Sequence, residues 1–139
     1  MTIPSFPTAE QLLFVLARSV EYLDSKLDPD QIVRMASAFE TIRWNFTDVG
    51  LTMYIVFEKS TQRIVYASSV DGEVSMVVDI DSRTLHETAW GVTSFGAAFI
   101  AGKLKVKGVQ PLKLTKFIPL LEPFLASYRE AMEELYDQS

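Results

Sequence analysis

The chain has 139 residues, 48% of them hydrophobic, with 13 basic and 18 acidic side chains and a formal net charge of −5. That length argues for one domain, and a chain of this size buries roughly 70% of its unfolded surface, enough to fold without staples. It contains no cysteine, which excludes disulfides, thiolate nucleophiles, zinc knuckles and iron–sulfur clusters, and its acidic balance disfavours nucleic acid as a partner.

The opening Met1-Thr2-Ile3-Pro4-Ser5-Phe6-Pro7 has neither the basic stretch nor the apolar core of a signal peptide. No apolar run approaches the ~18 residues that a membrane span needs. A cytoplasmic protein is expected. Thr8-Ala9-Glu10-Gln11 then reads as a capping box opening a helix with Leu12, Leu16, Val20 and Leu23 on one stripe. Asp28-Pro29-Asp30-Gln31 repeats the device, with proline at the first helical position, ahead of Ile32, Met35 and Phe39.

The period next changes to two. Ile42, Trp44 and Phe46 alternate with polar residues, and Asp48-Val49-Gly50 makes a turn. Leu51, Met53, Ile55 and Phe57 form a second strand, and Ile64 and Tyr66 a third. Asp71-Gly72 signals a tight turn before Val74, Met76, Val78 and Ile80. Short polar links between these strands predict a largely antiparallel meander with one face buried.

Asp81 or Ser82 can cap a helix through Leu85 and Ala89, and a second short helix follows with Phe95, Ala97, Ala98, Phe99 and Ile100. Lys103 to Lys107 alternates strictly and predicts a fifth strand, lysines on one side and Leu104 and Val106 on the other. Leu114, Phe117, Ile118 and Leu121 mark the next helix, which Pro119 and Pro123 are expected to break or kink. A last helix carries Phe124, Tyr128, Met132 and Leu135, with Glu130, Glu133 and Glu134 mostly outside that stripe. The fold class is α+β: a five-stranded, mainly antiparallel sheet with one face covered by helices.

The order of elements over residues 74–121 resembles the C-terminal half of a sterol carrier protein-2 domain. It runs as a strand, the acid-capped Asp81-Ser82-Arg83-Thr84-Leu85, the helix Phe95-Gly96-Ala97-Ala98-Phe99-Ile100-Ala101, then Gly102-Lys103-Leu104-Lys105-Val106-Lys107-Gly108 and an amphipathic helix. The likeness extends over residues 39–121, between a helical lead-in (1–38) and an acidic amphipathic helix (122–139), all in one domain. The ending Asp137-Gln138-Ser139 differs from the Ser-Lys-Leu-like address of peroxisomal members. The resemblance implies an apolar tunnel between the sheet and the C-terminal helices. Its cargo would be a fatty acyl chain, acyl-CoA, a sterol or an isoprenoid-like lipid.

Candidate lining residues with plausible inward faces are Trp44, Phe46, Met53, Ile55, Trp90, Phe95, Phe99, Ile100, Phe117, Leu121 and Phe124. Between Glu87 and Glu122 the chain has five lysines and no acidic residue. Of these, Lys103, Lys105 and Lys107 are candidates for contact with an anionic headgroup, or else a charged strand edge that resists aggregation. Catalysis has little support: no nucleophile elbow, phosphate loop or dinucleotide fingerprint occurs. The single histidine, His86, suits an exposed helical position, and Asp79 and Asp81 could form a carboxylate pair or serve as helix caps. Neither metal nor cofactor is expected. The reading is a non-catalytic carrier that hands a lipid to a transient membrane surface or a lipid-processing enzyme. The alternative is an accessory subunit of a lipid-modifying or quinone-making enzyme, favoured by the glutamates of the last helix. The oligomeric state is left open.

Overall fold

A computed structural model describes residues 4–137. Helix α1 (Ala9–Lys26) opens on the expected capping box: the Thr8 hydroxyl accepts the Gln11 N–H at 3.2 Å and Gln11 Oε1 accepts the Thr8 N–H at 2.9 Å. Helix α2 (Pro29–Ala38) repeats it through Asp28 and Gln31, with Pro29 where a missing N–H costs nothing. Both helices are therefore started by local chemistry that the sequence carries openly.

Strands β1 (Thr41–Phe46), β2 (Leu51–Glu58), β3 (Arg63–Ala67), β4 (Met76–Ile80) and β5 (Leu104–Lys107) form one sheet in the order β3-β2-β1-β4-β5. The period of two sends Ile42, Trp44, Phe46, Met53, Ile55, Phe57, Ile64, Met76, Val78, Ile80 and Leu104 to one buried face. Arg43, Asn45, Tyr54, Asp79, Lys105 and Lys107 share the opposite face, where Asn45 Nδ2 donates to Asp79 at 2.7 Å.

The expected meander is corrected at β4, which does not pair with β3. It lies parallel to β1, Trp44 opposite Val78, and antiparallel to β5. The β2–β3 hairpin is itself the crossover that a parallel pair requires. Periodicity tells which side chains share a face; it does not tell which strands are neighbours.

Helix α3 (Ser82–Ala89) is capped twice: Asp81 accepts the Thr84 N–H at 2.6 Å, and Asp48 accepts the N–H and hydroxyl of Ser82. After the short α4 (Phe95–Ile100) and β5, α5 (Pro111–Asp137) is one helix of 27 residues. Of the break or kink expected at Pro119 and Pro123, the break does not occur, and the acidic segment is the end of the same helix. An interior proline costs about 3 kcal/mol, but burial returns roughly 1.5–3 kcal/mol per large apolar side chain. Phe117, Leu120, Phe124, Leu125 and Met132 are all buried along α5.

Helix α5 packs against α1, α2 and α3, and α1 also lies on β3. Arg18 holds Glu134 through Nε at 3.1 Å and through its terminal nitrogen at 2.9 Å, the Tyr22 hydroxyl donates to Glu134 at 2.5 Å, and Lys26 pairs with Glu130. Two of the three glutamates that the sequence offered to a protein partner, Glu130 and Glu134, are thus used within the fold, and Glu133 is exposed. Among the described residues no helix is long and apolar enough to cross a membrane.

Candidate functional site

Between β1 and α5 the aromatic rings close on one another. Trp44 lies 5.0 Å from Phe124, 6.2 Å from Phe117 and 6.5 Å from Phe46, and Phe117 packs edge-on to Phe39 at 6.3 Å. Trp44, Phe46, Met53, Ile55, Phe117 and Phe124 are all buried here as one packed cluster. Of the described residues, Trp44 alone has a buried side-chain polar atom with no hydrogen-bond partner, its indole Nε1. Such a donor ordinarily costs about 1–3 kcal/mol.

An open groove of about 520 Å³ lies beside this cluster, between α2 and α5. Leu27, Val33, Met35, Pro119 and Leu120 supply its apolar surface, and Gln31, Ser37, Arg34 and Lys116 its polar side chains. Arg34 and Lys116 are exposed, whereas Leu120 is buried and belongs to the same core as Trp44. Met35 and Leu120 stand one helical turn from Phe39 and Phe117, so the groove and the aromatic cluster share a wall.

The other candidates fall elsewhere. Leu121 and Phe95 are half-buried against the core, whereas Phe99 and Ile100 face outward. Trp90 is half-buried against the same core, but its ring neighbours are His86, tilted at 4.9 Å, and Tyr128, edge-on at 5.9 Å. Lys103 and Lys105 are exposed, but Lys107 is bound to Asp79 at 3.0 Å. Asn45 and Lys107 together hold the Asp79 carboxyl below the usual range, and Asp81 faces the α3 N-terminus instead. These aspartates do not form a carboxylate pair.

His86 corrects the expectation of an exposed helical residue. It is fully buried, its Nε2 lying 2.7 Å from the Pro4 carbonyl and its Nδ1 2.7 Å from the Tyr128 hydroxyl. A carbonyl can only accept, so Nε2 carries the proton and Tyr128 donates to Nδ1. Both partners are remote in sequence, and no local signal marks them. Among the described residues no group of three or more His, Cys, Asp or Glu side chains is placed to hold a metal.

The sequence pattern of the SCP-2 sterol transfer family matches residues 21–122, and the chain belongs to that family. The match begins within α1 and ends within α5. Among solved structures, sterol carrier protein 2 from Yarrowia lipolytica in its apo form superposes with a TM-score of 0.53 at 17% identity, covering 92% of this chain and 98% of that one. The UbiJ-SCP2 ubiquinone synthesis protein gives 0.54 at 14% identity, covering 89% and 99%. The sec-alkylsulfatase Pisa1 from Pseudomonas sp. gives 0.57 at 21% identity over 83% of this chain, which spans only 16% of that enzyme. These likenesses establish the fold. No curated protein sequence matches the chain.

Proposed function

We propose that the protein binds a hydrophobic lipid with an anionic or polar end and carries or presents it without transforming it. The observation that carries this reading is the α2–α5 groove, with its apolar floor and Arg34 and Lys116 at its surface. Its volume falls within the ~300–1,000 Å³ of small-ligand sites. Membership of a sterol transfer family supports the same reading. A sixteen-carbon chain offers roughly 12 kcal/mol of burial, which association costs of about 4–15 kcal/mol reduce to reversible binding.

Deeper insertion would part Phe117 and Leu120 and bring cargo against Trp44, Phe46, Met53, Ile55 and Phe124. The unpartnered Trp44 Nε1 supports this, since an oxygen of the cargo would satisfy it. A second reading, an accessory domain beside a lipid-modifying enzyme, is favoured by the likeness to one segment of a much larger alkylsulfatase. Its test is whether a partner enzyme loses activity when the groove is blocked.

The direct test is titration with palmitate, palmitoyl-CoA and cholesterol, followed by tryptophan fluorescence. Met35→Trp, which narrows the groove, should weaken binding at least tenfold while the circular dichroism stays unchanged. Arg34→Glu with Lys116→Glu should weaken the two anions and spare cholesterol. Wild-type protein that binds none of the three would end the carrier reading.

A further inference from the structure

The segment from Gly91 to Gly102 is twelve residues without a charge, Gly-Val-Thr-Ser-Phe-Gly-Ala-Ala-Phe-Ile-Ala-Gly. It is held rigidly. At its start the Gly91 N–H donates to the Thr88 carbonyl and the Val92 N–H to that of Glu87; at its end Gly102 donates to Phe99 and Lys103 to Ala98. Each pair is a Schellman closure with glycine at positive φ, 75° in both cases. Ser94 caps α4 through the Ala97 N–H at 3.0 Å, and buried Ala98 and half-buried Phe95 fix the helix to the core.

What this knuckle presents outward is apolar. Ile100 is 88% exposed, Val92 55% and Phe99 53%. Helix packing does not explain large side chains held in water by a well-capped turn, and neighbouring exposed apolar groups of this kind mark an interaction surface. Charge decides which partner it fits. The chain has a net charge of −5, yet from Thr88 to Leu121 it carries five lysines and no acid. Lys103 closes the knuckle, and Lys105 follows on the edge strand; both are exposed. Lys107 is neutralised by Asp79 and plays no part.

We propose that this knuckle docks the protein on an anionic bilayer, Phe99 and Ile100 entering the headgroup–acyl boundary while Lys103 and Lys105 meet lipid phosphates. Apolar residues that insert, flanked by cations that stay at the surface, are what shallow membrane binding requires. A second copy of this chain is disfavoured. A two-fold contact through the knuckle brings the same lysines of both copies together, and the acid opposite Lys105, Asp79, is already paired with Lys107. The proposal deepens the carrier reading by naming the surface at which cargo is exchanged. It rests on residues that do not line the groove, so the two can fail separately.

The experiment is co-sedimentation with phosphatidylcholine vesicles, with and without 30 mol% phosphatidylglycerol, at rising salt, beside the palmitate titration. Wild-type protein should bind the anionic vesicles, should lose most of that binding by about 0.5 M salt through screening, and should bind pure phosphatidylcholine weakly. Phe99→Ser with Ile100→Ser should reduce anionic-vesicle binding at least tenfold, with palmitate binding and melting temperature unchanged, since both side chains are exposed. Lys103→Glu with Lys105→Glu should do the same and remove the salt dependence. Undiminished vesicle binding by either variant overturns the proposal. So does wild-type protein that ignores anionic vesicles, or that sediments as a dimer made monomeric by the serine substitutions.

Discussion

The Nδ1 of His86 lies 2.7 Å from the hydroxyl of Tyr128, 42 residues further along the chain, and both side chains are buried. The opposite nitrogen donates to the Pro4 carbonyl, so one imidazole joins α3, α5 and the segment before α1. Phe6 packs against the ring at a tilt, 4.8 Å away, and Arg83 lies over Phe6 at 4.6 Å. The histidine is a structural tie with both nitrogens engaged.

Stability should therefore fall in mild acid. Burial, the largest influence, holds the His86 pKa below its usual 6.5, against the opposing Pro4 bond and Glu87. Burial pushes the Tyr128 hydroxyl up, so Tyr128 stays neutral and cannot hold the imidazolium as an anion. With the folded pKa below the unfolded one, the unfolded chain binds the extra proton first. The contribution is complete above about pH 6.5 and is lost as pH falls towards the folded pKa, at up to about 1.4 kcal/mol per pH unit. Urea melts at pH 7.5 and 5.5 should show the drop, and His86→Gln should flatten it. Tyr128→Phe, which leaves Nδ1 without a donor, should cost about 1–3 kcal/mol at pH 7.5. An unaltered pH profile in His86→Gln would show that another group titrates.

Pro119 and Pro123 lie inside α5, four residues apart, where each removes a backbone donor. The Ser127 hydroxyl bonds back to the Pro123 carbonyl at 2.7 Å. Pro123→Ala should raise stability, by as much as about 3 kcal/mol if the alanine restores an unstrained turn. Pro119→Ala should stabilise similarly and, because Pro119 lines the groove, should also alter palmitate affinity. Guanidinium melts and fluorescence titrations of both variants check this, and a loss of stability in both would contradict it.

Asp24 guards the β3 edge of the sheet. Its carboxylate accepts the Ile64 N–H at 2.7 Å and pairs with Arg63 at 2.7 Å, so α1 occupies a donor that β3 would otherwise present. Asp24→Ala should cost about 1–2 kcal/mol, leaving that part-buried N–H without its acceptor. It should also raise aggregation on storage, read by light scattering. A variant as stable and as monodisperse as wild type would show that the edge needs no cover.

The sequence by itself determined the local chemistry and the faces. Capping at Thr8, Asp28 and Asp81, the alternation through Ile42, Trp44 and Phe46, and the turn at Gly50 depend on residues within four positions of one another. The α+β class and the family likeness followed from the order of such elements.

Only the tertiary structure decided the rest, because it depends on contacts between distant segments. The parallel placement of β4 beside β1, the single helix through two prolines, the burial of His86 against Tyr128 and Pro4, and the use of Glu134 by Arg18 all join residues at least 34 positions apart, except within α5. In α5 the local rule was outweighed by long-range burial of Phe117, Phe124 and Met132. The candidate site divided along the same line. An apolar residue at helical spacing has equal claim to a core or a groove until its neighbours are fixed, and packing sent Phe117 inward, Met35 to the groove and Ile100 to the outside.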